Sequence, residues 1–372
     1  MMPRRHFQVI TVLSLVLLGS LPPTAAAAAT RPNVVLIMTD DQGFGDLACH
    51  GNKILKTPAL DRLHSQSVRL TNYHVDPTCS PTRSALLTGR YSTRTGVWHT
   101  IMGRSMMHTD EVTLAEVFAA GNYRTGCFGK WHLGDNYPLR PQDQGFHEVL
   151  VHGGGGVGQT PDFFGNDYFD DTYWHNGQTV KQKGYCTDVF FDAALRFIDG
   201  KSSNGGGDKP FFCYIPTNAA HGPFLVADKY KKPYLDAGVP ARRAAFYGMI
   251  ANIDENVARL RKHLAASGLA DNTLLIFTTD NGTAAGAGRG GGFNAGLRGT
   301  KGSEFDGGHR VPCFWHWPDG GMVGGRDVPH VTAHVDMLPT LSAICGLKPP
   351  TDRTIDGTSL VPLLKGNTQG WP

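Results

Sequence analysis

Pro77-Thr78-Cys79-Ser80-Pro81-Thr82-Arg83-Ser84-Ala85-Leu86-Leu87-Thr88-Gly89-Arg90-Tyr91 sets one cysteine just ahead of a run of helix formers. Ser84, Ala85, Leu86 and Leu87 favour a helix, and Gly89 stops it. Cys79 therefore falls near a helix N-terminus, where free N–H groups and the macrodipole favour an anion or a negatively charged reacting atom. Arg83 adds a permanent positive charge one turn away. The place suits a nucleophile for an anionic ester. A buried cysteine in a proline turn is the alternative for a bare Cys-x-Pro-x-Arg.

On either side of this segment strands and helices alternate. Asn33 to Thr39 reads as a strand buried on both faces, because it is rich in Val, Leu and Ile and bounded by turn residues. Thr57-Pro58 opens a helix with a cap and a proline at its first position, and Leu60 and Leu63 form its inner face. Thr113 with Glu116 predicts a capping box for a helix that closes at Gly121. Tyr123 to Phe128 and Phe211 to Ile215 read as strands, and Val189 to Ile198 as a helix. Ile250, Ile253, Val257, Leu260 and Leu264 mark a long amphipathic helix, followed by a strand from Thr273 to Thr279. Pro312 to Trp317 is a further strand and Asp336 to Ile344 a last helix. This pattern predicts an α/β fold with a large, mostly parallel central sheet flanked by helices, its ligands beyond the C-terminal strand ends.

Polar residues gather at those ends. Asp40 and Asp41 follow the first strand, and Asp280 and Asn281 follow the strand from Thr273. Three carboxylates and an amide oxygen suit a hard cation, Ca²⁺ or Mg²⁺, although either pair alone also reads as ordinary turn residues. Lys130 and His132, in Gly129-Lys130-Trp131-His132-Leu133-Gly134, come to the same rim after Phe128. One cation and one titratable group can handle an oxyanion.

Composition bounds the partners. The 372 residues, 40% hydrophobic and 18% charged, suffice for a large core. A net charge of +3, from 35 basic and 32 acidic side chains, gives none of the global basic field that non-specific nucleic-acid binding demands. Arg4 and Arg5, an apolar stretch from Val9 to Leu21, and the alanines from Ala25 to Ala29 have the layout of a secretory signal peptide over 1–29. The apolar stretch is shorter than the ~20 residues a membrane span needs. An exported protein, periplasmic or extracellular, or in a lysosome-like compartment if eukaryotic, and without a membrane anchor after cleavage, is expected. The seven cysteines show no Cys-x-x-Cys pair, and Cys127, Cys213 and Cys313 sit in apolar strand-like runs as core residues. Gly286, Gly288 and Gly291 match Gly-x-Gly-x-x-Gly, but no apolar helix follows, so dinucleotide binding is not expected. The Lys201 to Lys209 stretch reads as a solvent loop.

Taken with Leu87-Thr88-Gly89-Arg90, the Cys79 segment resembles the signature of the type I sulfatases, arylsulfatase-like enzymes in which this cysteine is oxidised to formylglycine. The resemblance runs from Arg31 to Gly366. It implies an alkaline-phosphatase-like sandwich, with a catalytic domain at 30–366 and the start of a C-terminal region at 367–372, whose usual smaller subdomain is missing. It implies that Asp40, Asp41, Asp280 and Asn281 bind a divalent ion, usually calcium, beside the modified Cys79. Lys130 would contact formylglycine and sulfate, and His132 the hydrated aldehyde. His221, in Ala220-His221-Gly222-Pro223, and Lys301, in Gly299-Thr300-Lys301-Gly302, correspond to sulfate-binding positions, and His152 to a further contact. The stretch from Gly296 to Pro312 resembles the family's glycine-rich lysine motif, with Asp306 where Glu-Gly-Gly is commoner.

The implied activity is hydrolysis of a sulfate monoester, aryl sulfate or sulfated carbohydrate. One hydroxyl of hydrated formylglycine, activated near the metal and Asp280, would attack sulfur and release the alcohol, and the second would collapse the covalent ester with help from His132; Arg83 is counted among the catalytic residues. A formylglycine-generating enzyme is the implied maturation partner. Two alternatives remain: a phosphodiesterase or phosphonate monoester hydrolase of the same wider fold, and a secreted binding protein never matured at Cys79. Phe163, Phe164, Tyr168 and Trp174 are read either as pocket wall or as local packing.

Overall fold

In the computed structural model the chain divides into Met1–Thr30 and Arg31–Pro372. Described are residues 1, 3, 31–200, 209–284, 293–369 and 371. Nearly all of the expected signal segment and of the loop from Lys201, and the glycines at 286, 288 and 291, lie outside the described residues.

Strands occur at β1 (Asn33–Thr39), β2 (Val68–Leu70), β3 (Tyr73–His74), β4 (Arg124–Lys130), β5 (Glu148–His152), β6 (Thr172–His175) and β7 (Gln178–Lys181). They continue with β8 (Phe211–Pro216), β9 (Thr273–Thr279), β10 (Arg310–Val311), β11 (Cys313–His316), β12 (Asp327–Val328) and β13 (Thr332–Ala333). The helices are α1 (Pro58–Gln66), α2 (Cys79–Thr88), α3 (Leu114–Ala120), α4 (Cys186–Ile198), α5 (Asp228–Asp236), α6 (Ala241–Ala266), α7 (Asp306–His309), α8 (Met337–Cys345) and α9 (Val361–Leu364).

The large sheet has the order β12-β2-β11-β9-β1-β8-β4-β5-β6-β7. Its middle, β9 to β5, is parallel, as the alternation of strand and helix predicts, whereas β11, β6 and β7 pair antiparallel at the flanks. A small sheet, β10-β3-β13, lies apart from it. Successive residues of β1 point to opposite faces: Val35 and Ile37 join a core with α1, α4 and α6, and Val34, Leu36 and Met38 join one with α2, α3 and α8. Apolar residues on both faces explain why β1 is a continuous hydrophobic run.

Several local expectations hold. Thr113 and Glu116 form both bonds of the capping box, and Gly89 ends α2 in the left-handed conformation. The seven cysteines are all free, and Cys127, Cys213 and Cys313 are buried. One expectation fails: the Thr57 side chain does not cap α1. Its hydroxyl donates to Asp61 Oδ1 at 2.9 Å, and the free N–H groups of Ala59 and Leu60 instead donate to Asp254 of α6 at 3.1 and 2.8 Å. A buried carboxylate that accepts both N–H groups at the positive helix end displaces the local cap.

Candidate active site

The register of the central strands builds the site. β1 and β9 pair in parallel with Thr39 opposite Thr279, so the next residues, Asp40 and Asp280, emerge side by side. Asp41 N–H donates to Asp280 Oδ1 at 3.2 Å, and Asn281 Nδ2 donates to Asp41 Oδ1 at 2.9 Å. Asp41 holds φ at +57°, a sparsely populated conformation that turns its carboxylate back toward the strand ends. All four residues are buried.

Cys79 is the first residue of α2 and is 2% exposed. Its sulfur, Asp40 and Asp280 offer atoms within 4.8 Å of one another. Four residues on, the Arg83 guanidinium is fully buried, donating to Asp280 Oδ2 at 2.7 Å and to the Lys130 carbonyl at 3.1 Å. Its charge thus serves the carboxylates and does not face the cavity.

β4 delivers the cationic rim. Gly129, at φ +135°, lets the strand pass against β8; a Cβ there would lie 1.9 Å from the Pro216 carbonyl oxygen. Lys130 at the end of β4 is buried and its Nζ donates to Asp40 Oδ2. Lys301 Nζ lies 2.6 Å from Asp41 Oδ1 and is partly exposed. Burial and Asp280 push the Asp40 pKa up against the pull of Lys130. Burial opposes charge on Asp41 too, but Lys301 and His221 outweigh it and hold that carboxyl well below the usual range.

Two histidines present fixed lone pairs. His132 donates from Nε2 to the Thr100 carbonyl at 2.8 Å, which leaves Nδ1 as an acceptor 3.5 Å from Cys79 Sγ. Burial and Lys130 depress its pKa to about 3. His221 donates from Nδ1 to the Gly222 carbonyl at 2.7 Å, and its Nε2 lies 4.0 Å from Asp41 Oδ2. Burial depresses its pKa to about 4 although Asp41 opposes the shift. Both rings are neutral at neutral pH and able to take a proton.

A cavity of about 410 Å³ opens over this floor, lined by Cys79, His132, His221 and Lys301, with Thr100, Met102, Met106 and Gln159 in its wall. The sequence-predicted residues Asp40, Asp41, Cys79, Arg83, Lys130, His132, His221, Asp280, Asn281 and Lys301 converge beneath or around it. His152 stands apart. It is buried at the end of β5, lines an adjoining cavity of about 240 Å³, and its Nε2 has no hydrogen-bond partner among the described residues.

Sequence reasoning missed three contributors. Thr100 acts through its backbone carbonyl and Gln159 through its place in a loop, so neither carries a side-chain pattern. Asn218 accepts from Val157 N–H at 3.0 Å and fixes the loop after β8. Of the aromatic stretch, Tyr168 is buried and donates its hydroxyl to the His221 carbonyl at 3.0 Å, while Phe163 packs on Trp174 with centroids 4.9 Å apart. Phe164 is fully exposed.

The donor set fits a hard cation. Asp40 Oδ1 and Asn281 Oδ1 are buried oxygens without a hydrogen-bond partner among the described residues, side by side with two further carboxylates. Three carboxylates against Arg83, Lys130 and Lys301 leave the floor near neutral. A divalent ion held there would turn it into an anion-binding surface.

The Sulfatase family matches residues 32–347. Human arylsulfatase A is 32% identical over 370 residues, covering 91% of this chain and 69% of that protein. Human N-acetylgalactosamine-6-sulfatase is 30% identical over 370 residues, covering 94% and 69%. The crystal structure of Ps i-CgsB in complex with k-i-k-neocarrahexaose superposes with a TM-score of 0.82 at 30% identity, covering 91% of this chain and 77% of that one. The large mixed sheet and its flanking helices are thus the alkaline-phosphatase-like sulfatase fold. The chain belongs to the sulfatase family, and the protein is a sulfuric ester hydrolase.

Proposed function

We propose that the protein cleaves a sulfate monoester with formylglycine derived from Cys79 as nucleophile and a divalent cation, Ca²⁺ with Mg²⁺ as the alternative, held by Asp40, Asp41, Asp280 and Asn281. The observation that carries this reading is the placement of Cys79, at a helix N-terminus, within 4.8 Å of two buried carboxylates at the mouth of one cavity. Held there, the cation would neutralise charge on sulfate oxygens, and formylglycine at position 79 would supply the nucleophilic hydroxyl.

This chain's own residues divide the remaining work. Lys301 lines the cavity and binds sulfate oxygens, and His221 joins it there once its Nε2 takes up a proton. Lys130 and Arg83, buried below, pair with Asp40 and Asp280 and hold them in place. His132 Nδ1, neutral and fixed by Thr100, accepts a proton from the group at position 79. Arg83 is therefore a positioning residue, and His132 the proton carrier.

The substrate is proposed to be a sulfated carbohydrate. Support comes from the sugar ester specificity in the name of N-acetylgalactosamine-6-sulfatase and from the oligosaccharide held by Ps i-CgsB. A maturation enzyme that oxidises Cys79 is the required partner. Export is supported by the layout of residues 1–29, and among the described residues no helix is long and apolar enough to cross a membrane. The test is turnover of 4-nitrophenyl sulfate and sulfated oligosaccharides against a phosphate diester, using protein made with a formylglycine-generating enzyme. Preference for the sulfates supports the assignment; preference for the diester overturns it.

A further inference from the structure

Three side chains outside the site meet at one point. His74 on β3, His309 at the end of α7 and Asp306 at its start each offer an atom within 4.8 Å of the others. The Nδ1 atoms of the two histidines lie 2.9 Å apart.

Their outer contacts fix the tautomers. His74 Nε2 lies 2.9 Å from Asn72 Oδ1, and His309 Nε2 lies 3.1 Å from the Glu304 carbonyl oxygen. Both partners can only accept, so each neutral ring carries its proton on Nε2 and turns an Nδ1 lone pair toward the other. A positive centre between two facing lone pairs at this distance relieves their repulsion and leaves both outer hydrogen bonds in place. A proton serves the two nitrogens alone, whereas a metal ion also takes the Asp306 carboxylate. Oriented N–H groups donating to amide or carbonyl oxygens are the usual outer contacts of metal-ligating imidazoles.

We propose that His74, His309 and Asp306 form a second metal site, distinct from the carboxylate floor and suited to a borderline divalent ion such as Zn²⁺. Two imidazoles and one carboxylate disfavour Ca²⁺ and Mg²⁺ and match a three-ligand zinc site with water in the fourth position. Asp306 is exposed and leaves that position open to solvent. It is also the residue at which the stretch from Gly296 to Pro312 departs from the commoner Glu-Gly-Gly.

The ion acts as a clamp. β3 pairs with β10 through His74 opposite Arg310, and the chain runs on from β3 to Cys79. Gly302, beside Lys301, donates to the Pro77 carbonyl at 2.8 Å. An ion joining His74 to α7 therefore ties the segment that carries the nucleophile to the loop that carries Lys301.

The test is Zn²⁺ titration by calorimetry, with Ca²⁺ kept saturating, on the mature protein and on its H309Q and D306N variants. The wild type is expected to bind one Zn²⁺ that H309Q loses, with affinity about tenfold or more weaker in D306N. Zn²⁺ should raise the wild-type melting temperature and leave that of H309Q unchanged, and Co²⁺ should give visible bands of a low-coordinate site in the wild type only. Equal Zn²⁺ stoichiometry and affinity in all three proteins, or no Zn²⁺ bound by the wild type, overturns the proposal. Should H309Q fail to fold, D306N, altered at an exposed carboxylate, still decides.

Discussion

Arg83 and Asp280, 197 residues apart, form a fully buried ion pair at 2.7 Å that fastens the helix bearing Cys79 to the strand end bearing the carboxylates. Burial opposes the charge on Arg83, but Asp280 outweighs it and raises the guanidinium pKa further. R83A leaves Asp280 buried without its partner, and a cost of about 3–5 kcal/mol is expected in urea unfolding. R83K keeps a charge but loses the second contact, to the Lys130 carbonyl, so an intermediate loss is expected.

The cation floor predicts a sharp dependence on metal. D280N removes one carboxylate and weakens the Arg83 pair, so activity should fall by ~10² or more while Ca²⁺ no longer raises the melting temperature. Chelation of the wild type should reproduce the first effect, and added Ca²⁺ should reverse it.

Lys301 tests sulfate binding. Its ammonium sits on Asp41 at 2.6 Å and faces the cavity, so K301A should lower kcat/KM by ~10²–10³ with little change in fold stability. Steady-state kinetics with an aryl sulfate measures it.

His152 predicts an acid-side loss of stability. Burial depresses its folded pKa to about 4, below the ordinary value of 6.5, so the unfolded chain takes up a proton first as the pH falls. Its stabilising contribution is complete above pH 6.5 and is lost between 6.5 and 4, amounting to about 2 kcal/mol by pH 5. His64, shifted the same way by burial and Arg69, adds to the loss. Urea midpoints at pH 7 and pH 5 should differ accordingly, and H152Q should narrow the gap.

Asp254 gives a prediction away from the site. It accepts two N–H bonds at the start of α1, so D254A should destabilise the protein by about 0.5–2 kcal/mol, whereas T57V should leave α1 capped.

The central strands and the carboxylate pairs were legible because both rest on local pattern: a continuous apolar run for β1 and β9, then acidic residues at the point where the run stops. Cys79 was legible through its helix signal and its resemblance to a known signature. The cap on α1 was not, because its acceptor lies 194 residues away on α6. The tautomer of His132 was not legible either, since a backbone carbonyl at Thr100 sets it. β3, β10, β12 and β13 have two residues each, too few to show a period, and of the antiparallel hairpin of β6 and β7 only Trp174 was singled out, as pocket wall or local packing. The burial of Arg83 against Asp280 was not legible, because its helix position does not encode the tertiary packing that turns it inward.

The account stands on the chemistry of residue 79, and the most direct measurement is the mass of the Cys79 peptide from protein exported or made together with a formylglycine-generating enzyme. It predicts an aldehyde in place of the thiol, with sulfatase activity rising in proportion to the converted fraction. An intact cysteine in protein that still hydrolyses sulfate esters, in a host that converts a control sulfatase, would contradict it.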